Sequence, residues 1–303
     1  MADRPDPGLV YACITHVPLT LPFPDWVAPI HLGSAQGTGG LDLRDLAPEW
    51  EPHHAVLGGT AGTFALKNHL LAHRRDASRV GLCQYRKFVS RDHIRGARPD
   101  PRYRVMDAVP KRLLADPAEF AAGLDPGDTP FLVSRPRRFT RLPWHRRGYL
   151  KEYARDHCVE DLLRFTANAV ELGVLGPRET LAFFNEDVIV PGGIELGVYP
   201  AAFWIEAVTD LERVVRACVQ SHPARRERYQ ARAWSFCAER LGSYLLLKKL
   251  RSEVGGFAGG IEWFSRRRWS ARFAGQLNLV TDTDTDTDTD TDTDVATGYV
   301  GGT

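Results

Sequence analysis

Residues Arg79–Phe88 read R-V-G-L-C-Q-Y-R-K-F, and this stretch decides how the rest of the chain is parsed. Val80 to Cys83 is a short apolar run containing a glycine, the pattern of a strand buried in a mostly parallel sheet. At Gln84 the run turns polar, and Arg86 and Lys87 make it basic. In open α/β sheets ligands bind beyond the carboxyl ends of the strands. Cations delivered to that edge suit an anionic ligand, phosphate first among them. A strand that simply runs out into a solvated basic loop carries the same residues, and both readings stand at this point.

Working outward, Gly8 to His16 is rich in β-formers, ends at Pro18 and predicts a first strand. Val27 to Leu32 predicts a second strand, which Pro29 demotes towards an edge. Gly33 to Gly40 is glycine-rich but holds neither G-x-G-x-x-G nor G-K-[ST], so it is expected to be a flexible loop. Asp42 to Pro52 is acidic and loop-like. Gly58-Gly59 opens a helix, with Thr60 or Thr63 as N-cap, Phe64, Leu66, Leu70 and Leu71 as its apolar face, and His73 to Arg75 at its end. Strand, strand, helix, strand with short connections is the order of a wound α/β domain.

Downstream, Pro110 to Ala122 predicts one short helix inside an insertion, and Thr129 to Ser134 a strand. Tyr153 to Leu172, Tyr199 to Cys218 and Arg225 to Arg251 predict long helices, and Val188 to Val190 a strand closed by Pro191-Gly192-Gly193. His157 and Asp161, four residues apart, are expected on one helical face.

The 303 residues suffice for one large α/β domain or two smaller ones, and a formal net charge of +1 argues against a dedicated nucleic-acid binder. Five scattered cysteines without a C-x-x-C pair read as reduced thiols of a cytoplasmic protein. No signal peptide is expected at the N-terminus, and no apolar run approaches the roughly 20 residues that span a bilayer.

Charge is concentrated locally instead. Arg135 to Arg147 holds six arginines in thirteen residues and no acid. Such a block can clamp a pyrophosphate, meet anionic lipid or stay a solvated loop. Ile261 to Phe273 mixes aromatics with arginines, as interfacial helices do. Thr281 to Asp294 is a pure Thr-Asp repeat, read as disordered; its many D-x-D triplets follow from the repeat and indicate no metal site.

With these pieces in order, the chain resembles the DUF4422 family, glycosyltransferase-like proteins of capsular and exopolysaccharide gene clusters. The matching residues are His16, then Pro29-Ile30-His31-Leu32-Gly33, then Lys67-Asn68, then Gly81-Leu82-Cys83-Gln84-Tyr85-Arg86-Lys87-Phe88. Tyr153, His157, Asp161 and Leu162 match a second motif, Asn185 to Ile189 a third, and Arg232, Phe236, Glu239, Arg240 and Leu241 a fourth. Departures include Gln84, where the family has histidine, and Glu186, where it has methionine.

The resemblance implies a GT-A/Rossmann-like single α/β domain with a mixed, mostly parallel sheet and a helical C-terminal part. Its expected extent is 1–255, followed by a basic aromatic segment 256–280 and a tail 281–303. It implies a glycosyltransferase moving sugar from a nucleotide-sugar donor to a saccharide or lipid-linked acceptor in surface polysaccharide biosynthesis. That activity would sit in the cytoplasm or at the inner face of the plasma membrane, where an anionic membrane surface is a candidate partner, with no nucleic-acid partner expected. The alternative is a non-catalytic carbohydrate- or membrane-surface-binding protein on the same scaffold.

Glycosyl transfer requires the leaving diphosphate to be stabilised by Mn2+ or Mg2+ on carboxylates, or by cationic side chains. The expected donor-binding residues are His16, Lys67, Asn68, Gln84, Tyr85, Arg86, Lys87 and Asn185. Asp187, then Glu186, are the candidates for a base on the acceptor hydroxyl. Arg135, Arg137, Arg138, His157 and Asp161 are candidates for acceptor or phosphate contact.

Overall fold

A computed structural model of the chain describes residues 6–37, 39–101, 105–139, 147–221, 226–253 and 275–281. The segment 261–273 and most of the Thr-Asp repeat, both singled out above, lie outside the described residues.

The first half carries β1 (Leu9–Thr15), β2 (Val27–His31), β3 (Leu41–Asp42), α1 (Leu43–Leu46), α2 (His54–Leu57) and α3 (Gly59–His73). Next come β4 (Arg79–Gln84), β5 (Lys87–Ser90), β6 (Arg98–Pro99), β7 (Asp107–Pro110), α4 (Pro117–Leu124), β8 (Leu132–Val133) and β9 (Arg137–Arg138). The second half adds α5 (Tyr149–Asp156), α6 (Val159–Glu171), α7 (Glu179–Asn185), β10 (Val188–Ile189), β11 (Gly197–Pro200), α8 (Ala201–Ser221), α9 (Ala233–Glu253) and β12 (Gln276–Thr281).

The main sheet runs β3-β2-β1-β4-β5-β12-β7-β6, with β11 and β8 joined to it through β4. Strands β3, β2, β1 and β4 are mutually parallel, so their carboxyl ends form one edge. Alternation along β1 fills both faces. Val10, Ala12 and Ile14 enter a core with Phe64, Val80, Leu82, Trp204 and Leu211. Leu9, Tyr11 and Cys13 enter a second core with Val27, Phe88, Val89 and Phe120. Burying each such large side chain contributes about 1.5–3 kcal/mol. Gly81 stands opposite Tyr11 in the register, and a Cβ there would lie 2.1 Å from the Tyr11 ring. The glycine inside the apolar run therefore makes room for a buried aromatic on the neighbouring strand.

Several local expectations change. β2 is not a bare edge: β3 pairs with Ile30 and His31, beyond Pro29, where the missing N–H costs nothing. The 42–52 segment folds into α1 and a 3-10 turn that buries Trp50, whose indole N–H bonds Glu212 at 2.7 Å. Gly58, not a threonine, caps α3, and α3 is buried nearly all round while Leu71 is exposed. The predicted 110–122 helix is a strand end, a 3-10 turn and α4, the last capped by the Asp116 carboxylate. The predicted 153–172 helix breaks into α5 and α6 because His157 is extended, so His157 and Asp161 do not share a helical face. Tyr199 belongs to β11, antiparallel to β4, rather than to the helix after it. Finally, β12 lies between β5 and β7, so 276–281 is part of the α/β sheet and the expected boundary at 255 does not separate it.

Candidate functional site

A cavity of about 310 Å³ opens over the carboxyl ends of β1, β2 and β4. His16 follows β1, Gly33 and Ser34 follow β2, and Gln84 to Lys87 form the tight hairpin from β4 into β5. The hairpin is tied down on both sides. The Tyr85 N–H donates to the Ile14 carbonyl at 3.1 Å, and the Val280 N–H donates to the Arg86 carbonyl at 2.8 Å. His16 meets Tyr85 edge to face at 4.9 Å, and the Arg86 guanidinium lies 5.4 Å from the Tyr85 ring centroid.

The opposite wall is the start of α3 with Gly58 and Gly59, together with His54 and Arg232. Gly58 has φ +52°, and a Cβ there would stand 3.0 Å from an Arg232 guanidinium nitrogen. A Cβ on Gly59 would stand 2.6 Å from the Gln84 amide nitrogen. The glycine pair thus lets Arg232 and Gln84 close in on the first turn of the helix, whose free N–H groups favour anions. The Arg232 Nε is buried without a hydrogen-bond partner.

A second cavity of about 280 Å³ shares Gln84, Arg86, Lys87 and Arg232 with the first, so the two form one continuous cleft. Glu195 and Glu239 line this second part, along with His157, Tyr229 and Phe236. Glu195 is held by a turn that the glycines make possible: Gly192 (φ +79°), Gly193 (φ +50°) and Gly197 (φ +135°) are all left-handed. The buried Tyr199 hydroxyl lies 2.7 Å from the carbonyls of both Gly193 and Leu196, and the Trp204 indole donates to the Ile194 carbonyl at 2.8 Å. The Glu195 carboxylate accepts a hydrogen bond from the Thr60 hydroxyl at 2.7 Å. Loss of water pushes its pKa up to about 7; the Thr60 bond and the Arg232 and Lys87 charges oppose that rise, and Glu239 adds to it. A carboxyl tuned to neutrality in a cleft is suited to taking and returning protons.

Of the residues expected from the sequence, His16, Gln84, Tyr85, Arg86 and Lys87 come together in the first cavity and His157 lines the second. Lys67 does not reach either. It pairs with Glu212 in the interior, where Arg216 also holds Glu212 at 2.9 Å. The Asn68 amide donates to the Leu46 carbonyl at 2.8 Å. Asn185 ends α7, Glu186 pairs with Arg251 at 2.7 Å, and Asp187 pairs with Arg138 at 2.5 Å; none of the three lines the cleft. Asp161 is buried against Arg226 at 3.3 Å. Arg135 and Arg137 line a separate cavity of about 280 Å³ with His93, Asp107 and Ser134. Residues 140–146 of the arginine block lie outside the described residues.

Sequence reasoning passed over Glu195 and Arg232. Pro191-Gly192-Gly193 predicts the end of a strand, and the glycine spacing over 191–197 marks a turn without marking the role of Glu195. Arg232 stood inside a family-like motif without an assigned role.

Among the described residues no group of three or more His, Cys, Asp or Glu side chains is arranged to hold a metal. Glu195 and Glu239 are the carboxylates at the cleft, and Mg2+ commonly takes only one or two when substrate phosphates supply other ligands. Among the described residues no helix is long and apolar enough to cross a membrane.

No family model and no curated protein matches the chain. Among solved structures, the fold is similar to the apo structure of WbbM, a bifunctional glycosyltransferase, with a TM-score of 0.63 and 13% sequence identity. The match covers 90% of this chain and 45% of WbbM, so the chain spans about half the length of that protein. The α/β architecture, with a mixed sheet and helices, is thus one that a solved glycosyltransferase also has.

Proposed function

We propose that this chain is a glycosyltransferase that moves a sugar from a nucleotide-sugar donor to a saccharide or lipid-linked acceptor in polysaccharide biosynthesis. The observation that carries this reading is the meeting of Arg232 and Lys87 with a carboxyl near pKa 7, Glu195, at the carboxyl edge of the parallel strands. In this reading the donor diphosphate sits against Arg86, Lys87, Arg232 and the first turn of α3. The cations stabilise the charge that develops on the leaving diphosphate. Glu195, as carboxylate, takes the proton of the acceptor hydroxyl. The new bond from that oxygen to the anomeric carbon forms as the bond from carbon to diphosphate oxygen breaks, and its electron pair leaves with the nucleotide.

The likeness to WbbM supports the scaffold; donor and acceptor are argued from the cleft. Membership of a DUF4422-like group is proposed on the same basis. Residues from three of the resembling motifs, His16, Gln84 to Lys87, His157, Arg232, Phe236 and Glu239, converge on one cleft although they are far apart in sequence. A lipid-linked acceptor would bring the protein to the cytoplasmic membrane face.

The test is a screen of UDP-, GDP- and dTDP-linked sugars for donor cleavage, with Glu195→Gln and Asp187→Asn run beside the parent. Cleavage of one donor, lost in Glu195→Gln and kept in Asp187→Asn, supports the reading. Nucleotide binding without cleavage in any arm supports the non-catalytic alternative.

A further inference from the structure

The part of the cleft beyond Glu195 has an aromatic wall that the donor does not need. Phe236 stacks on His157 at 4.3 Å and 24°, and Tyr229 packs against Phe236 at 4.7 Å. All three line the second cavity, with Glu195 and Glu239 beside them. His157 is held in the break between α5 and α6, its Nδ1 3.3 Å from the Gln230 side-chain oxygen. Burial, aided by the nearby Arg240, keeps its pKa below the usual histidine value. The wall is therefore aromatic and uncharged near neutral pH, and it belongs to a cleft whose acids are Glu195 and Glu239.

That combination selects for a particular chemistry. A pyranose ring presents C–H groups on its faces and hydroxyls around its rim. The electron-rich face of an aromatic ring attracts the former, and carboxylates accept hydrogen bonds from the latter. Arg240 also lines this cavity but is paired with Glu152 at 2.8 Å, so a phosphate or carboxylate ligand here would meet Glu195 and Glu239, and like charges repel. The cationic wall made by Arg86, Lys87 and Arg232 lies where the two cavities join.

Resting on the glycosyltransferase reading, we propose that this second cavity is the acceptor subsite. It takes an uncharged terminal pyranose, stacked against Tyr229 with its reactive hydroxyl towards Glu195. The acceptor class is thereby a neutral saccharide end, whatever carrier lies beyond it.

The experiment is saturation-transfer NMR on the full chain with the methyl glycosides of glucose, galactose, mannose and N-acetylglucosamine as probes. Tyr229→Ala, Tyr229→Leu and Tyr229→Phe are compared with the parent, and folding of each is checked by circular dichroism. At least one glycoside is expected to receive saturation at its ring C–H protons. Affinity should fall about fivefold in Tyr229→Ala, the loss expected for one aromatic contact, and hold in Tyr229→Phe. If Tyr229→Ala does not fold, Tyr229→Leu carries the test, since it keeps apolar volume but lacks the ring face. No signal from any of the four glycosides, or equal affinity in the parent and the folded Ala or Leu variant, overturns the proposal. Titration of the same samples with UDP, GDP and dTDP separates the two claims. Absence of nucleotide binding defeats the donor reading, whereas nucleotide binding with Tyr229-independent saccharide response defeats the acceptor subsite alone.

Discussion

The Thr60 hydroxyl donates a 2.7 Å hydrogen bond to the Glu195 carboxylate, joining the first turn of α3 to a turn 135 positions later in the chain. One partner comes from the helix whose start faces the anion-suited cavity. The other is the carboxyl whose proton affinity is raised to about 7. The contact therefore fixes a proton-accepting group at the border between the two halves of the cleft.

If Glu195 is the base, its carboxylate is the active form, and turnover rises as pH climbs through about 7. Glu195→Gln is expected to lower turnover by about 10²–10⁴-fold, the usual contribution of a general base, and to leave donor affinity within a few-fold. A pH–rate profile of both proteins checks this. A parent profile flat from pH 5 to 9 would remove Glu195 from the role.

The same shift predicts a stability effect whose sign is fixed. A carboxyl that holds its proton more tightly folded than unfolded makes the native state bind more protons between its unfolded value near 4.5 and its folded value near 7. Its contribution to stability accordingly falls as pH rises across that window and levels off above it. Denaturant titrations at several pH values should show a shallower fall in Glu195→Gln than in the parent.

Lys67 resembles a family residue expected at the donor, yet it pairs with Glu212, which also accepts from Trp50 and Arg216. Lys67→Ala leaves a buried carboxylate short of a partner and is expected to cost about 3 kcal/mol of stability. Nucleotide affinity of the folded variant should be unchanged. A variant of parental stability that had lost nucleotide binding would return Lys67 to the site.

How much of this was legible from sequence depends on how local each signal was. The strand at 79–84 and the helix after Gly58 were readable because alternation, glycine and apolar spacing lie within a few residues of one another. The basic exit of that strand at Arg86 and Lys87 is readable for the same reason, whereas its tight turn into β5, which pairs with β12, is not. Glu195 was not, because nothing beside it in sequence reveals Thr60, Arg232 or Lys87 around it. Asp187 reads in sequence as an acid at a strand entry, but its partner Arg138 arrives from β9 and neutralises it. The His157 break and the insertion of β12 between β5 and β7 are likewise products of tertiary packing, which overrides local pattern.

Gly58→Ala tests the geometry of the anion-suited wall. Its φ of +52° with ψ of −125° is a sparsely populated conformation that costs a side chain about 1–3 kcal/mol, and the added methyl would press on Arg232. Nucleotide affinity should fall together with stability. Gly173→Ala has comparable φ, +73°, with nothing within 4 Å of its Cβ, and serves as the control that loses stability alone. Equal nucleotide affinity in the two variants would show that the Gly58–Arg232 approach plays no part in binding.

The central claim is that a nucleoside diphosphate is held where Arg86, Lys87 and Arg232 meet. Calorimetric titration of the parent and Arg232→Ala with UDP, GDP and dTDP addresses it most directly. The account predicts saturable binding of at least one nucleotide by the parent, weakened about tenfold or more in Arg232→Ala, as loss of a charge-assisted contact to phosphate requires. Binding of equal strength in both proteins, or of none of the three nucleotides by the parent, would contradict it.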